Sequence, residues 1–372
     1  MRVAGRWRRQ GDMSAALKRS PAEVARALRK WLTSLPADWP PADTATTAFC
    51  RQRLERLADE AVLTAKVAAD LGSRPWRPLG HVLAVVSEND HLGVVAALMA
   101  AALTGNRLTL KSRAGLAALR SLRDALGWDE AACRIADWSS EGQNDAELLA
   151  GVDGVVLAGS EALIRHYRRA AAQRVRLIEY GPQMSAACIA EWPVSTTEQA
   201  ACIDALIRDT TLFLQNVCSS PQFVLTPGAA AAEALFAALA ARLAVMPPLP
   251  EEIRLQQSIK AQELRLLARL GEPVDVALDA GTGWAVTRSP SDVAYWMPRG
   301  FRLIVGGLEK LQEPSLPLQT LGIWPSPAVG PVEAAALHRC RLGRMHERPV
   351  TAPHDGHWEL AQWVSFVSCD TQ

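Results

Sequence analysis

One cysteine in the sequence has neighbours that suit a nucleophile. Cys218 stands in the stretch 209–222, DTTLFLQNVCSSPQ, after an apolar run and before a small, hydroxyl-rich turn. The pattern predicts a helix-like segment, a turn that carries the thiol, and an exit into extended chain at Pro221. A thiolate in such a turn can form a covalent intermediate. The alternative is an inert thiol buried in the core, as most free cysteines are.

A second group of reactive residue types lies near the C-terminus. Its members are His338, Cys340, His346, His354 and His357. Imidazole and thiolate groups bind zinc, but these spacings do not match a recognised four-ligand site. We therefore expect no metal.

Composition excludes several classes of function. The 372 residues carry 40 basic and 39 acidic side chains, so no electrostatic argument favours nucleic acid or an anionic membrane. The seven cysteines are scattered and form no CxxC pair, which indicates a reducing, cytoplasmic environment. No apolar run approaches the roughly 20 residues that a membrane span needs. The partner is expected to be a small molecule or another protein.

Helical signals open the chain. The residues Ser20-Pro21-Ala22-Glu23 form a capping box with proline at the first helical position. Apolar residues at helical spacing then predict a further helical stretch over 47–71.

From His81 onward, short β-rich runs alternate with helical runs. The predicted strands are 81–86, 107–111, 133–138, 154–158 and 175–180, and the predicted helices are 91–104, 116–126, 145–150 and 161–172. This repetition of βαβ units predicts an open parallel sheet with right-handed crossovers. Such a sheet binds its ligand at the carboxyl ends of the strands.

The sheet suggests a dinucleotide, although no GxGxxG motif is present and a plain Rossmann dehydrogenase is disfavoured. Gly159-Ser160 stands at the start of a predicted helix, where free amides and the helix dipole favour a phosphate. A Gly-Ser pair is also a common helix cap, and the residues alone leave both interpretations open.

Five short motifs occur in the order typical of the aldehyde dehydrogenase superfamily. They are LKSRAG around Lys111, LAGSEA around Gly159, EYGPQ around Glu179, QNVCSSPQ around Cys218 and LQTLGI around Gln319. With HDG at 354–356, the last two motifs more narrowly resemble the LuxC-like acyl-CoA reductases, the fatty acid reductase family. The resemblance covers the chain from about residue 81 onward. It implies an α/β fold of the aldehyde dehydrogenase type, with a Rossmann-type parallel-sheet cofactor domain and an α/β catalytic domain that carries the cysteine.

The resemblance also implies a domain order. We expect a helical segment over 1–80 that braces the cofactor domain, and a dinucleotide-binding domain over 81–184. A catalytic domain over 185–345 and a C-terminal segment over 346–372 that packs back on the body complete the chain.

The activity implied by the resemblance is NADPH-dependent reduction of an acyl-CoA, or another acyl thioester, to an aldehyde. Cys218 would attack the thioester, expel coenzyme A and carry the acyl group until hydride arrives. Asn89 matches the side chain that donates to the oxyanion beside the amide of Cys218. Without the resemblance, Asn89 is equally well explained as a turn residue.

The expected cofactor contacts follow the same matches. Lys111 matches the lysine that touches the adenosine ribose, and Ser112 and Arg113 add donors and charge nearby, which favours NADPH over NADH. Gly159 and Ser160 match the pyrophosphate turn. Gln319 stands where hydrolytic aldehyde dehydrogenases carry a glutamate that holds the nicotinamide ribose.

Glu179 matches the glutamate that activates water in hydrolytic relatives, whereas an acyl-CoA reductase should exclude water. NAD(P)-dependent aldehyde oxidation therefore stays open, and Glu179 is a candidate catalytic residue. Its other interpretation is a strand-end carboxylate that orders the substrate loop. Tyr180-Gly181-Pro182 departs from the double glycine of oxidising enzymes, which weakens the hydrolytic interpretation.

A second hypothesis arises because the chain is short beside typical LuxC-like reductases. It is a noncatalytic or acyl-shuttling subunit that binds an acyl synthetase or transferase partner. In either case the resemblance implies a homo-oligomer.

Overall fold

The chain folds into two compact units. The computed structural model describes residues 16–37, 39–40, 42–87, 91–112, 115–137, 145–290, 293, 295–312, 318–326, 328 and 336–368. The first unit contains the chain up to Pro182 and again from Pro349, and the second unit runs from Gln183 to Arg348.

Three helices begin the first unit: α1 (Pro21–Ser34), α2 (Thr44–Leu57) and α3 (Glu60–Leu71). The predicted capping box is present, with the Glu23 amide donating to Ser20 Oγ and the Ser20 amide donating to the Glu23 carboxylate. The helical stretch predicted over 47–71 is interrupted, because the Asp59 side chain accepts from the Ala61 amide at 2.8 Å and starts a new helix.

The first unit is built on a five-stranded sheet, preceded by the short strand β1 (Trp76–Pro78). Its strands are β2 (His81–Val86), β3 (Arg107–Ser112), β4 (Cys133–Asp137), β5 (Gly154–Ala158) and β6 (Arg176–Tyr180). They lie in the order β4-β3-β2-β5-β6 and all pair in parallel. The five predicted strands and the parallel sheet are therefore confirmed.

The helices between these strands are α4 (His91–Thr104), α5 (Leu116–Ala125), α6 (Asp145–Leu149) and α7 (Glu161–Ala170). Helix α4 is buried along almost its whole length, since it packs against strands of the sheet and is covered by α1 and α2. The Trp31 indole of α1 donates to the Ala118 carbonyl of α5 at 2.8 Å. This contact ties α1 to the layer that covers the sheet.

The second unit contains a seven-stranded sheet. Its elements are β7 (Met184–Ile189), α8 (Thr196–Thr211), β8 (Pro221–Thr226), α9 (Ala229–Ala240), α10 (Glu251–Arg269), β9 (Asp275–Leu278), β10 (Ala285–Pro290), β11 (Phe301–Val305), β12 (Leu318–Trp324) and β13 (Ala336–Arg341). The strand order is β13-β12-β7-β8-β11-β10-β9. All neighbours are parallel except β9, which runs antiparallel to β10.

The C-terminal segment belongs to the first unit, where it forms α11 (Glu359–Gln362) and β14 (Val364–Phe366). Strand β14 pairs antiparallel with β1. A buried ion group fastens α11 to α3, because Lys66 Nζ lies 3.2 Å from Asp70 and 2.9 Å from Glu359. The Asp70 carboxylate also accepts from the Leu360 amide at 2.8 Å.

Within the described residues, no helix combines the length and the apolar character that a bilayer crossing requires.

The Asp70 carboxylate is expected to be essential to the attachment of α11 to α3. Asp70→Ala should lower the free energy of unfolding by about 3 kcal/mol, because it leaves the Leu360 amide without its acceptor and removes one of the two carboxylates that pair with buried Lys66. Urea denaturation measures the loss. The control is Glu263→Ala, which breaks the exposed Lys260–Glu263 pair and should cost less than about 0.5 kcal/mol. Equal effects of the two substitutions would contradict a structural role for the buried group.

Candidate active site

Cys218 lies in a turn between α8 and β8, and its side chain is partly exposed. The predicted exit into extended chain is present, since β8 begins at Pro221. Two other cysteines of the second unit, Cys188 and Cys202, are fully buried, and burial raises the pKa of each thiol to about 12. Cys218 therefore differs from these inert thiols in its access to solvent.

The chain reaches Cys218 through a left-handed turn. The predicted helix-like segment ends at Thr211, and Phe213, Leu214 and Gln215 then follow with φ values of 57°, 49° and 56°. Non-glycine residues avoid this region, since a left-handed conformation costs about 1–2 kcal/mol per residue. Such a run persists only when the surrounding structure holds it, and backbone of this kind concentrates at functional sites.

The Gln215 side chain supplies that restraint. Its Nε2 donates to the carbonyls of Pro221 (2.6 Å) and Gly300 (2.9 Å), and its Oε1 accepts from the Gly300 amide (2.6 Å). Gln215 is only 4% exposed. Gly300 has a φ of +125°, and a Cβ on it would lie 2.3 Å from the Ala285 carbonyl oxygen, so only glycine fits opposite the amide.

Two strands of the sheet hold Cys218 from the other side. Ser185 Oγ, at the start of β7, donates to the Cys218 carbonyl at 2.6 Å and accepts from the Thr320 amide of β12 at 3.1 Å. The Gln319 side chain, next to Thr320, donates from Nε2 to Cys218 Sγ at 3.0 Å. Gln319 is predicted to bind the cofactor, but in this structure its side chain donates a hydrogen bond to the sulfur of the predicted nucleophile.

The residue after the cysteine is fastened by a histidine. Nε2 of His346 faces the main-chain carbonyl of Asp209 at 2.9 Å, and its Nδ1 lies 2.8 Å from Ser219 Oγ. Because a carbonyl only accepts, the neutral ring carries its proton on Nε2, and Ser219 donates to Nδ1. The Asp209 carboxylate accepts from the amides of Gly343 (2.6 Å) and Met345 (3.2 Å).

Burial dominates the electrostatics of this histidine and its neighbour. It lowers the pKa of His346 to about 4, although the bond to the Asp209 carbonyl acts the other way. It raises the pKa of the Asp209 carboxyl to about 7, against the two amide hydrogen bonds. His346 is therefore neutral near pH 7 and acts as a fixed hydrogen-bonding link between the end of α8 and the turn of Cys218.

The other predicted site residues lie along the carboxyl edge of the five-stranded sheet in the first unit. Lys111 and Ser112 end β3, Gly159 and Ser160 follow β5, and Glu179 lies next to the end of β6. Parallel strands bring these positions to one edge, as predicted. Asn89 and Arg113 lie outside the described residues.

The turn after β5 is closely packed against the helix that follows it. Ser160 caps α7, and its Oγ accepts from the Leu163 amide at 3.3 Å. A Cβ on Gly159 would lie 2.8 Å from the Leu163 side chain. Both interpretations of this pair from the sequence are therefore compatible with the structure: Ser160 caps the helix, and its N-terminus lies at the ligand-binding edge.

Glu179 is paired with an arginine. Arg168 of α7 donates from Nε to Glu179 Oε1 at 2.7 Å and from its second nitrogen to Oε2. A bidentate pair of this kind fixes the direction of the carboxylate. Glu179 thus orders the end of β6 against α7.

The HDG motif forms a tight turn that contacts Tyr180. His354 and His357 exchange main-chain hydrogen bonds of 2.8 Å, and between them Asp355 and Gly356 have φ values of 49° and 79°. Positive φ at both central residues is the signature of a type I′ turn, for which Asp-Gly is favoured. The His354 ring stacks on Tyr180, with ring centroids 4.7 Å apart.

Sequence reasoning missed the residues that hold the cysteine. The motif around Cys218 includes Gln215 without indicating its role, no motif points to Ser185, and the spacing of His346 suggests only a metal ligand. Their partners are 85, 33 and 127 positions away along the chain. Buried polar side chains near a motif are the signal that could have found them, since such groups must be hydrogen-bonded.

Several solved structures of aldehyde dehydrogenases have a similar fold. Aldehyde dehydrogenase 21 from Physcomitrella patens, in complex with succinate, has a TM-score of 0.69 and 12% identity, covering 95% of this chain and 87% of that one. Succinic semialdehyde dehydrogenase from Streptococcus pyogenes, in complex with NADP+, gives 0.68 and 12%, over 99% and 94%. A putative methylmalonate-semialdehyde dehydrogenase from Sinorhizobium meliloti, complexed with NAD, gives 0.59 and 14%, over 84% and 74%. The fold is that of the aldehyde dehydrogenase superfamily, as predicted.

The family follows from the sequence. The profile of the acyl-CoA reductase (LuxC) family matches residues 52–366, so the chain belongs to this family. No curated protein matches the chain. The predicted family and the prediction of an aldehyde-handling oxidoreductase are confirmed.

Replacing His346 by glutamine is expected to remove one acid-sensitive contribution to stability. The pKa of His346 is about 4 in the folded protein and about 6.5 in an unfolded chain. The unfolded state therefore binds more protons between these pH values, and this contribution falls by about 3 kcal/mol as the pH drops from about 6.5 to about 4. Urea denaturation of both proteins across this range should show the stability difference shrinking by that amount.

The comparison cancels the other titrating groups to first order. Asp209, whose pKa is raised to about 7, acts with the opposite sign, since its contribution is lost as the pH rises; it is present in both proteins. A stability difference that stays constant with pH would contradict the neutral, buried state of His346.

Proposed function

We propose that this chain reduces an acyl-CoA, or another acyl thioester, to an aldehyde with NADPH, through an acyl group carried on Cys218. The observation that carries the proposal is the placement of Cys218: a partly exposed thiol on a restrained turn, with the Gln319 amide 3.0 Å from its sulfur. Membership of the acyl-CoA reductase family supports the reaction class.

The proposed chemistry begins with attack of the Cys218 thiolate on the thioester carbonyl carbon. A bond forms between this carbon and Cys218 Sγ, the bond to the coenzyme A sulfur breaks, and that sulfur leaves with the electron pair and takes up a proton. When bound, NADPH supplies the hydride that reduces the acyl carbon. The resulting thiohemiacetal collapses as its bond to Sγ breaks, which releases the aldehyde and returns the Cys218 thiolate.

The oxyanion in both steps needs hydrogen-bond donors. The main-chain amide of Cys218 and the side chain of Asn89 are the donors that we propose, on the family match. Loss of one such donor typically lowers the rate about a hundredfold or more.

The carboxyl edge of the five-stranded sheet fits a dinucleotide. Gly159 has no side chain where a Cβ would press on Leu163, and the N-terminus of α7 offers its amides to a pyrophosphate. Lys111 would contact the adenosine ribose, with Ser112 beside it. Two of the similar structures hold NADP+ or NAD.

The preference for NADPH rests on charge. In dinucleotide folds an acidic residue after the second strand of the unit binds the 2′-hydroxyl of NAD, whereas a basic residue accommodates the 2′-phosphate of NADP. Here β3, the strand that follows the first βα unit of the sheet, ends with Lys111 and Ser112. A cation and a hydroxyl donor at the end of this strand support the proposed preference for NADPH.

Aldehyde oxidation is a second candidate function, in which Glu179 would activate water. The ion pair between Glu179 and Arg168 argues against it. A carboxylate that serves as a general base must accept a proton from water. Both oxygens of Glu179 already accept from Arg168. In the proposed function Glu179 is a positioning residue at the end of β6.

The proposal also includes partners. An acyl synthetase or transferase would supply the acyl group, and the chain would act as a homo-oligomer.

Cys218→Ala should abolish acylation, since it removes the sulfur that would hold the acyl group. Purified protein is incubated with acyl-CoA without NADPH, and the intact mass is measured. The native protein should gain the mass of one acyl group and the variant none, while NADPH binding stays unchanged. The control is Cys340→Ala, which removes a thiol of the same unit whose pKa burial raises to about 12, and should acylate normally.

Two results would contradict the proposal. Aldehyde formation by Cys218→Ala would assign the acyl group to another nucleophile. Native protein that neither acylates nor oxidises NADPH with acyl-CoA of several chain lengths would exclude the reduction itself and favour the acyl-shuttling or noncatalytic subunit.

Lys111→Met is expected to reduce the preference for NADPH. It keeps most of the apolar stem but removes the charge-assisted hydrogen bond to the 2′-phosphate, so KM for NADPH should rise about tenfold or more. KM for NADH should change little. Steady-state rates with both cofactors measure the ratio, and Lys260→Met, on an exposed pair of the second unit, is the control. An equal rise in KM for NADPH and for NADH would contradict a contact between Lys111 and the 2′-phosphate.

A further inference from the structure

We propose that Gln319 is a catalytic residue that stabilises the thiolate of Cys218 through its side-chain amide. The donor Nε2 lies 3.0 Å from Cys218 Sγ. Gln319 is only 5% exposed, and every residue of β12 is buried. The family pattern assigns this position to the nicotinamide ribose; a hydrogen bond to the reacting sulfur is a different role.

An irregularity in the sheet accompanies this contact. Between Leu318 and Leu321 strand β12 advances three residues while β7 advances two, from Met184 to Ala186. The pairing of β12 with β13 keeps its register over the same stretch. The extra residue is therefore a bulge on the β7 side, and bulges of this kind redirect side chains next to active sites.

The bulge is also tied to the cysteine through the main chain. The Thr320 amide, within the irregular stretch, donates to Ser185 Oγ, and the same hydroxyl donates to the Cys218 carbonyl. A second register shift, between β7 and β8, occurs at Ser185. Both irregularities thus lie at the residue that joins β12 to Cys218, which holds Gln319 in register with the sulfur.

The chemistry of the side chain suits a thiolate. The amide of Gln319 is neutral and donates toward the sulfur, and hydrogen bonds to an ionised acceptor are about twice as strong as those between neutral groups. A donor that binds the charged form favours that form, whereas a carboxylate at the same distance would disfavour it by like-charge repulsion. Glutamine at position 319 therefore promotes ionisation of Cys218, and glutamate would oppose it.

The same hydrogen bond serves twice in turnover, a consequence that rests on the proposed reduction. Cys218 is the attacking thiolate in the first step and the leaving thiolate in the last. The Gln319 amide stabilises the negative charge on Sγ in both. In the free enzyme it acts without substrate or cofactor, which allows a separate test.

The test is the pH dependence of alkylation of Cys218 by iodoacetamide, followed by peptide mass spectrometry without cofactor. Gln319→Glu should move the midpoint of the rate profile upward by about one pH unit or more, which slows alkylation about tenfold near neutral pH. Gln319→Met, which only removes the donor, should give a smaller upward shift. Gln222→Glu is the matched control, because it adds the same charge where the side chain contacts Ser220 and Arg302; its midpoint should stay near that of the native protein.

Circular dichroism and thermal melting establish that each variant is folded. An unchanged midpoint in folded Gln319→Glu and Gln319→Met would overturn the role; if the glutamate variant does not fold, the methionine variant alone decides. A larger upward shift for Gln319→Glu than for Gln319→Met depends on the charge beside the sulfur, and a general loss of packing would not produce this order. Shifted midpoints in a protein that acyl-CoA fails to acylate would refute the proposed reduction and leave the role of Gln319 intact.

Discussion

The buried amide of Gln215 is the interaction on which the cysteine site depends. It holds three successive non-glycine residues in the left-handed region by bonding to Pro221 on one side and Gly300 on the other. The left-handed run costs about 1–2 kcal/mol per residue, and each hydrogen bond returns a net of about 1 kcal/mol. The bonds offset a cost of similar size, and the burial of Leu212 and the packing of Leu214 against the core of the second unit add to the restraint.

The turn is restrained from several elements at once, which suits a nucleophile. Gln215 connects it to the glycine before β11, Ser185 connects it to β7 and β12, and His346 connects it to the end of α8. Each restraint is a side-chain group that satisfies a main-chain group in a place where no regular ladder is available. A reacting atom needs this precision, because small misplacements reduce rates strongly.

The sequence predicts best where one local pattern decides the outcome. Strand β2 is an apolar run bounded by turn residues, typical of a strand buried on both faces, and the capping box at Ser20 specifies a helix start. The break between α2 and α3 at Asp59 cannot be predicted in this way, because apolar residues continue at helical spacing across it. The left-handed turn cannot be predicted from the sequence for the opposite reason. Phenylalanine, leucine and glutamine disfavour that conformation, and only distant contacts impose it. The contact of Gln319 depends on a bulge and on a partner 101 positions away.

The two positions at which hydrolytic relatives use a carboxylate share a property in this chain. The first is Gln319, where the chain has a neutral amide that donates to Cys218 Sγ. The second is Glu179, which keeps its carboxylate but pairs it with Arg168. The Gln319 amide places no negative charge beside the sulfur, and Arg168 occupies both oxygens with which Glu179 would accept a proton from water. In the proposed reduction the pairing of Glu179 protects the product, because an acyl-cysteine that meets activated water is lost as an acid.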